Sequence, residues 1–191
     1  GVARRDHAFP TGVKPALVVT AKRLTLPREE TLESGVRVVT IEDIRWQRCD
    51  IKSVSLLPNV LGKQYARENG AYEAWQIDQD GNVTEGTSSN SWIVTHDDRL
   101  LTRPATHEIL NGITRQTILK LAAARGLTFE ERAFSLDEAL AAREAFISSA
   151  TSFVTPVTQI DDTTLGNGRA GSFTMDLRSA YFDYMTTAAP V

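Results

Sequence analysis

Between residues 72 and 102 the chain breaks into four apolar segments, each only three to six residues long, separated by turn chemistry. Segments 72–77 and 83–85 flank Asp80-Gly81-Asn82, a strong hairpin signal, and segments 91–95 and 100–102 flank a turn at Asp97-Asp98. Stretches this short do not make stable helices, and a strand leaves backbone donors and acceptors that a neighbouring strand must satisfy. The chain is therefore committed to a sheet, with its other elements arranged around it. Further strands are predicted at 15–21, as a buried strand, and at 36–41, 127–132, 145–148 and 154–160.

Helical signals surround these segments. Residues 56–69 place Leu56, Leu57, Val60, Leu61 and Tyr65 on one side and end at Gly70, where a C-terminal cap belongs. Residues 114–125 read as an amphipathic helix ended by Gly126, and 173–185 as a final helix. Ser135 and Glu138 have the spacing of a capping box at the start of a short helix. Residues 27–34 read as a polar connection, and 42–52 as an unusually polar link between two apolar elements. The mixture predicts an α/β (α+β) fold, one domain with a strand-rich centre.

Composition removes several function classes. Hydrophobic residues are 41% and charged residues 24%, which suits a packed core. Net charge is -3 and no Lys/Arg block exists, so no nucleic acid partner is expected. Apolar stretches stay far below the roughly 20 residues a membrane helix needs. The single cysteine, Cys49, precludes an internal disulfide and fits a cytoplasmic location. The opening Gly1-Val2-Ala3-Arg4-Arg5 has no initiator Met and no leader pattern, which suggests a segment upstream.

Four places could carry chemistry. Lys52, in Asp50-Ile51-Lys52-Ser53, stands between an apolar strand and an apolar helix; partial burial there would free its amine as a nucleophile toward an aldehyde. A surface lysine at a helix start is the commoner case. Thr84-Glu85-Gly86-Thr87-Ser88-Ser89-Asn90 follows a hairpin strand and could hold a ring nitrogen against a carboxylate, or be a plain polar turn. Leu110-Asn111-Gly112-Ile113-Thr114-Arg115 opens the best helix, and a helix N-terminus suits a phosphate; Thr114 as a simple N-cap is the alternative. Ser148-Ser149-Ala150-Thr151-Ser152 offers hydroxyls and backbone donors after a short strand, or an ordinary loop. His96 and His107 lack partners at metal-ligand spacing, so no metal site is expected, and Cys49 reads as packed or inert.

Taken in order, these pieces resemble the fold-type IV pyridoxal-phosphate enzymes, the D-amino-acid and branched-chain aminotransferase superfamily, and most of all its D-amino-acid aminotransferase branch. Glu42-Asp43-Ile44-Arg45-Trp46, Gly70-Ala71-Tyr72-Glu73-Ala74 and the run 146–157 complete the matching set, which spans nearly the whole chain. The resemblance implies a pseudo-barrel fold, pyridoxal 5'-phosphate as cofactor, and Lys52 as both its Schiff-base lysine and the carrier of the Cα proton. It implies Glu85 beside the pyridine nitrogen, where a carboxylate keeps the ring an electron sink. Ser88, Leu110, Gly112, Ile113, Thr114, Ser149, Ala150 and Thr151 would line the cofactor; Leu110 would pack on the ring, and the 112–114 and 149–151 stretches would grip the phosphate.

The resemblance further implies ping-pong transamination between D-amino acids and 2-oxo acids, of the D-alanine and 2-oxoglutarate type, in a homodimer. Arg5-Asp6-His7 is similar to that branch's substrate-carboxylate trap, which reaches the neighbouring subunit's site; a solvated basic turn is the alternative. Residues 1–14 would then be the interdomain segment and 15–191 the cofactor-binding domain. Two departures stand out. Close relatives have threonine where this chain has Ala150, a hydroxyl whose loss costs ~1 kcal/mol if Ser149 or Thr151 does not replace it. The family's N-terminal domain of roughly a hundred residues has no counterpart here, and with it go a phosphate-binding arginine and a wall of the pocket. A branched-chain aminotransferase, an aminodeoxychorismate lyase or an R-selective amine transaminase would use the same Lys and Glu, and a cofactor-binding module without turnover is the alternative of another class.

Overall fold

The computed structural model describes residues 2–24 and 29–187. Its elements, in chain order, are α1 (Glu29–Ser34), β1 (Val36–Glu42), α2 (Leu57–Glu68), β2 (Glu73–Ile77), β3 (Val83–Gly86), β4 (Asn90–Val94) and β5 (Leu100–Thr102). They continue with α3 (Ile113–Ala124), β6 (Phe129–Glu131), α4 (Leu136–Leu140), β7 (Glu144–Ser149), β8 (Phe153–Ile160), β9 (Thr163–Thr164) and α5 (Ser172–Thr187).

All the strands join one mixed sheet in the order β3-β2-β1-β8-β7-β4-β5-β6, with β9 added to β8 beyond the point where β7 stops. The pairs β1–β2, β1–β8 and β5–β6 are parallel and the rest antiparallel. Two of the parallel pairs are made by crossovers through α2 and α3, as parallel neighbours require. The sheet curls until its ends meet: Val83 N–H of edge strand β3 donates to Phe134 O just past β6 at 3.0 Å. This is the expected pseudo-barrel with helices around it.

Alternation along each strand divides the core. Val38, Trp75, Ile93, Leu101, Ala145 and Ile147 pack together on one face with Phe134 and Ala139, which α4 and its approach supply. Trp92, Val94, Phe146 and Val154 point the other way and are covered by Ile118 and Ala122 of α3 and by Leu177 and Tyr181 of α5. Trp92 and Phe146, cross-strand partners, stack at 5.3 Å. A smaller cluster of Val39, Ala66, Ala71 and Ala74 seats α2.

Local signals read from sequence hold at most boundaries. Gly70, Gly81 and Gly126 all have positive φ, and Ser135 and Glu138 exchange both bonds of the capping box. Four differences from the sequence reading stand out. The apolar run at 15–21, expected as a buried strand, lies outside the sheet with Leu17, Val18 and Val19 79–89% exposed, because both sides of β1 are taken by β2 and β8. The connection expected over 27–34 forms α1 from residue 29 onward, while 27 and 28 lie outside the described residues. The N-cap of α3 is Gly112, so Thr114 sits inside the helix and is buried. Helix α2 turns Gly62 and Ala66 inward, not its larger apolar side; Leu57, Val60, Leu61 and Tyr65 stay exposed. A Cβ on Gly62 would collide with Ile41 and Thr87, so this glycine permits the close approach of α2 to the sheet.

Candidate active site

Four loops gather at one end of the sheet. They are the link between β1 and α2, the β3–β4 turn, the segment between β5 and α3, and the β7–β8 turn. Together they line a cavity of about 860 Å³. Of the residues singled out from sequence, Lys52, Glu85, Ser88, Leu110, Gly112, Ile113, Thr114, Ser149 and Ala150 all border it. Thr151 lies just outside the lining, and its N–H donates to Ser149 Oγ at 3.4 Å. Arg5 and His7 are exposed and do not border the cavity; His7 N–H donates to Asp6 Oδ1.

Lys52 is exposed within this open cavity, not partly buried, and among the described residues no hydrogen bond or ion pair holds its ammonium. The polar link that carries it is anchored by Cys49 N–H to His107 O at 2.8 Å. Cys49 itself is half-buried, gives its thiol to Trp46 O at 3.1 Å, and has its pKa raised by burial, which suits an inert packing role.

Glu85 occupies the opposite condition, being 6% exposed at the end of β3. Its carboxylate accepts from Asn90 Nδ2 at 3.0 Å and from Leu110 N at 3.2 Å, and forms an ion pair with Arg45 at 2.5 Å. Burial pushes its pKa up to about 7, although the charge and hydrogen bond of Arg45 pull it down. Asp43, the other carboxylate on Arg45, stays below its ordinary value despite burial because Arg45 and Thr84 donate to it.

The β3–β4 turn rests on a second buried carboxylate. Glu73, 1% exposed, accepts from the hydroxyls of Thr87, Ser88 at 2.8 Å and Ser89 at 3.2 Å. Ser88 thus directs its hydroxyl to Glu73, which leaves its expected contribution to a ligand without that group. Asn59 of α2 ties the same turn through Thr87 O at 2.9 Å.

The start of α3 faces the cavity with no side-chain cap and no acidic residue in its first turn. Its first N–H groups therefore have no partner within the helix and present a positive dipole end. Thr114 Oγ1 accepts from Tyr181 OH at 3.4 Å, which leaves the threonine hydroxyl hydrogen free to donate. Across from it, Ser149 Oγ pairs with Ser152 Oγ at 2.7 Å and orders the β7–β8 turn, and Ser148 is held by Trp92 Nε1 at 2.8 Å. An amine, a buried carboxylate and an anion-ready helix end on one cavity match the three polar ends of pyridoxal phosphate: aldehyde, ring nitrogen and phosphate.

Sequence reasoning missed Arg45, Asn90 and Glu73 as functional supports. The signal for Arg45 was the polarity of the 42–52 link, which an exposed linker does not need. Glu73 carried no local signal, since its hydroxyl partners lie 14 to 16 residues along the chain, while Asn90, only five residues from Glu85, reads as part of a polar turn. Among the described residues no group of His, Cys, Asp and Glu could hold a metal ion, and no helix is long and apolar enough to cross a membrane.

Comparison with known proteins gives the same direction. The D-alanine aminotransferase of Bacillus licheniformis is 45% identical over 180 residues, covering 94% of this chain and 62% of that protein. That of Staphylococcus aureus (strain N315) is 44% identical over 186 residues, covering 97% and 65%. The chain thus spans less than two thirds of the length of these relatives. Among solved structures, the T.th. branched-chain amino acid aminotransferase with pyridoxamine 5'-phosphate superposes with a TM-score of 0.78 at 27% identity, covering 87% of this chain and 55% of that one. The same enzyme complexed with N-(5'-phosphopyridoxyl)-L-glutamate gives a TM-score of 0.76 at 27% identity, covering 84% and 55%. The family description "Amino-transferase class IV" matches residues 2–160, and the chain belongs to the class IV aminotransferases.

Proposed function

We propose that this chain forms the cofactor-binding part of a pyridoxal-phosphate transaminase acting on D-amino acids and 2-oxo acids, with Lys52 as its covalent anchor. The observation that carries this reading is the convergence of Lys52, Glu85 and the uncapped start of α3 on one cavity. The preference for D-amino acids rests on the 45% and 44% identical D-alanine aminotransferases, against 27% for the T.th. branched-chain enzyme. The bound cofactor would supply an electrophilic aldehyde and an electron-withdrawing ring.

The protein's own groups do the rest. Lys52 would hold the cofactor through its amine and would carry the proton at the substrate Cα. Glu85 would accept a hydrogen bond from the ring nitrogen and hold its proton there. The N–H groups of Ile113 and Thr114, the Thr114 hydroxyl, and the backbone at Ser149, Ala150 and Thr151 hold the phosphate. Leu110 packs on the ring. Residues 15–191 are then the cofactor domain and 1–14 the loop that brings Arg5 and His7 to a substrate carboxylate in the partner site of a homodimer.

Turnover of D-alanine with 2-oxoglutarate, with L-alanine as control, tests this reading. Pyruvate formed from the D enantiomer alone supports it; turnover of L-leucine with no pyruvate from D-alanine favours the branched-chain alternative. A second reading, cofactor retention without turnover, draws support from Lys52 lying exposed in an open cavity. A bound chromophore with no pyruvate from either enantiomer would favour it.

A further inference from the structure

The link between β1 and α2 carries a buried cation that the reading above leaves unused. The Arg45 side chain is 5% exposed. Its Nη1 donates to Glu85 Oε1, and its Nε and Nη2 donate to the two oxygens of Asp43 at 2.9 and 2.7 Å. Nη2 also reaches Thr84 Oγ1 at 3.2 Å and Glu108 O at 3.1 Å. The guanidinium is thus gripped from both edges, in the planar geometry that distinguishes arginine from lysine.

The consequence falls on Glu85. An ionised carboxylate offers about four acceptor positions. Arg45, Asn90 and Leu110 occupy three of them, which leaves one for a donor in the cavity that Glu85 borders. A neutral carboxyl would serve these donors less well, because the oxygen that carries the proton is the weaker acceptor. Asp43 shares Arg45 without claiming it whole, since Thr84 Oγ1 donates to Asp43 Oδ2 at 2.7 Å as well.

We propose that Arg45, clamped by Asp43, is the positioning residue of this site: it favours the ionised form of Glu85 against burial and turns the carboxylate with its remaining acceptor position toward the cavity. The proposal deepens the function proposed above and rests on it for the identity of the donor, the cofactor's ring nitrogen. The charged and titratable groups around Glu85 are Arg45, Asp43 and the Cys49 thiol, all from the same link. The β3–β4 turn and the segment before α3 meet it with the neutral Asn90 side chain and the Leu110 main chain, and Lys52 shares the cavity.

The test follows the Glu85 carboxyl directly, by carbon-13 NMR of glutamate-labelled protein without cofactor, with Glu85→Gln identifying the signal. Arg45→Gln is expected to raise the titration midpoint by more than about one pH unit, and Arg45→Lys to restore part of that shift. An unmoved midpoint in Arg45→Gln overturns the proposal. Should that variant fail to fold, the guanidinium signals of Arg45 in the unaltered chain decide it: they must move with the Glu85 midpoint, and signals blind to it overturn the proposal equally.

A second measurement separates this claim from the cofactor reading. Arg45→Gln should weaken pyridoxal phosphate binding about tenfold when Glu85 is present and have little further effect in a Glu85→Gln background. Equal losses in both backgrounds would mean that Arg45 does not act through Glu85. If the unaltered chain binds no pyridoxal phosphate at all, the cofactor reading fails, while the carboxyl titration still decides the coupling of Arg45 to Glu85.

Discussion

Burial of Glu85 gives the cofactor-free protein a distinctive dependence of stability on pH. Its pKa rises from the ordinary 4.5 to about 7 in the folded chain, with burial the largest cause. The folded state therefore holds this proton more tightly than the unfolded state. Stability is full below about pH 4.5, falls as pH rises toward about 7, and levels off above that. The loss across this window corresponds to roughly 3 kcal/mol, at about 1.4 kcal/mol for each pH unit between the two values. The other shifted carboxylates, among them Asp43, Asp78, Glu130 and Glu138, are moved downward, so their linkage lies in a more acid range and has the opposite sign. Glu85→Gln keeps the shape and removes the ionisation. Urea unfolding of the two proteins at mildly acid and mildly alkaline pH should show the fall in the parent and its near disappearance in the variant. The same slope in both would refute the assignment of the buried proton to Glu85.

Three more expectations concern the scaffold and the site. Trp92→Ala removes the stacked partner of Phe146 from a fully buried position and should cost about 3–5 kcal/mol in denaturant unfolding. Ser135→Ala breaks the capping box of α4 and should cost about 1 kcal/mol in the same assay. Gly112→Ala would drive a Cβ to 2.7 Å from Asn90 Oδ1, displacing the amide that holds Glu85; pyridoxal phosphate affinity should fall while the far-ultraviolet circular dichroism stays unchanged.

The parts legible in sequence are those set by neighbours along the chain. The hairpin around Gly81, the stop at Gly126 and the Ser135–Glu138 box each depend on residues within four positions, and each formed as expected. The site loops were legible because their glycines, hydroxyls and helix start lie in contiguous motifs. What escaped depends on distance. Arg45 meets Glu85 forty residues away, and Glu73 meets Ser88 fifteen away, so no local pattern announces either pair. The run at 15–21 shows the opposite failure: a continuous apolar, β-branched stretch marks a segment suited to a sheet, but only the arrangement of β1, β2 and β8 decides that no place beside β1 is open. Helix α2 adds a third lesson, since two small residues, Gly62 and Ala66, seat it more closely than its larger apolar side chains could.

The central claim is that Lys52 is the covalent anchor of pyridoxal phosphate. The protein should be mixed with pyridoxal phosphate, reduced with borohydride and digested for peptide mass measurement. The account predicts a visible absorbance band before reduction and a single phosphopyridoxyl adduct on the peptide carrying Lys52, with both lost in Lys52→Ala. An adduct spread over several lysines, or one that persists on the Lys52→Ala protein with its chromophore intact, would contradict it.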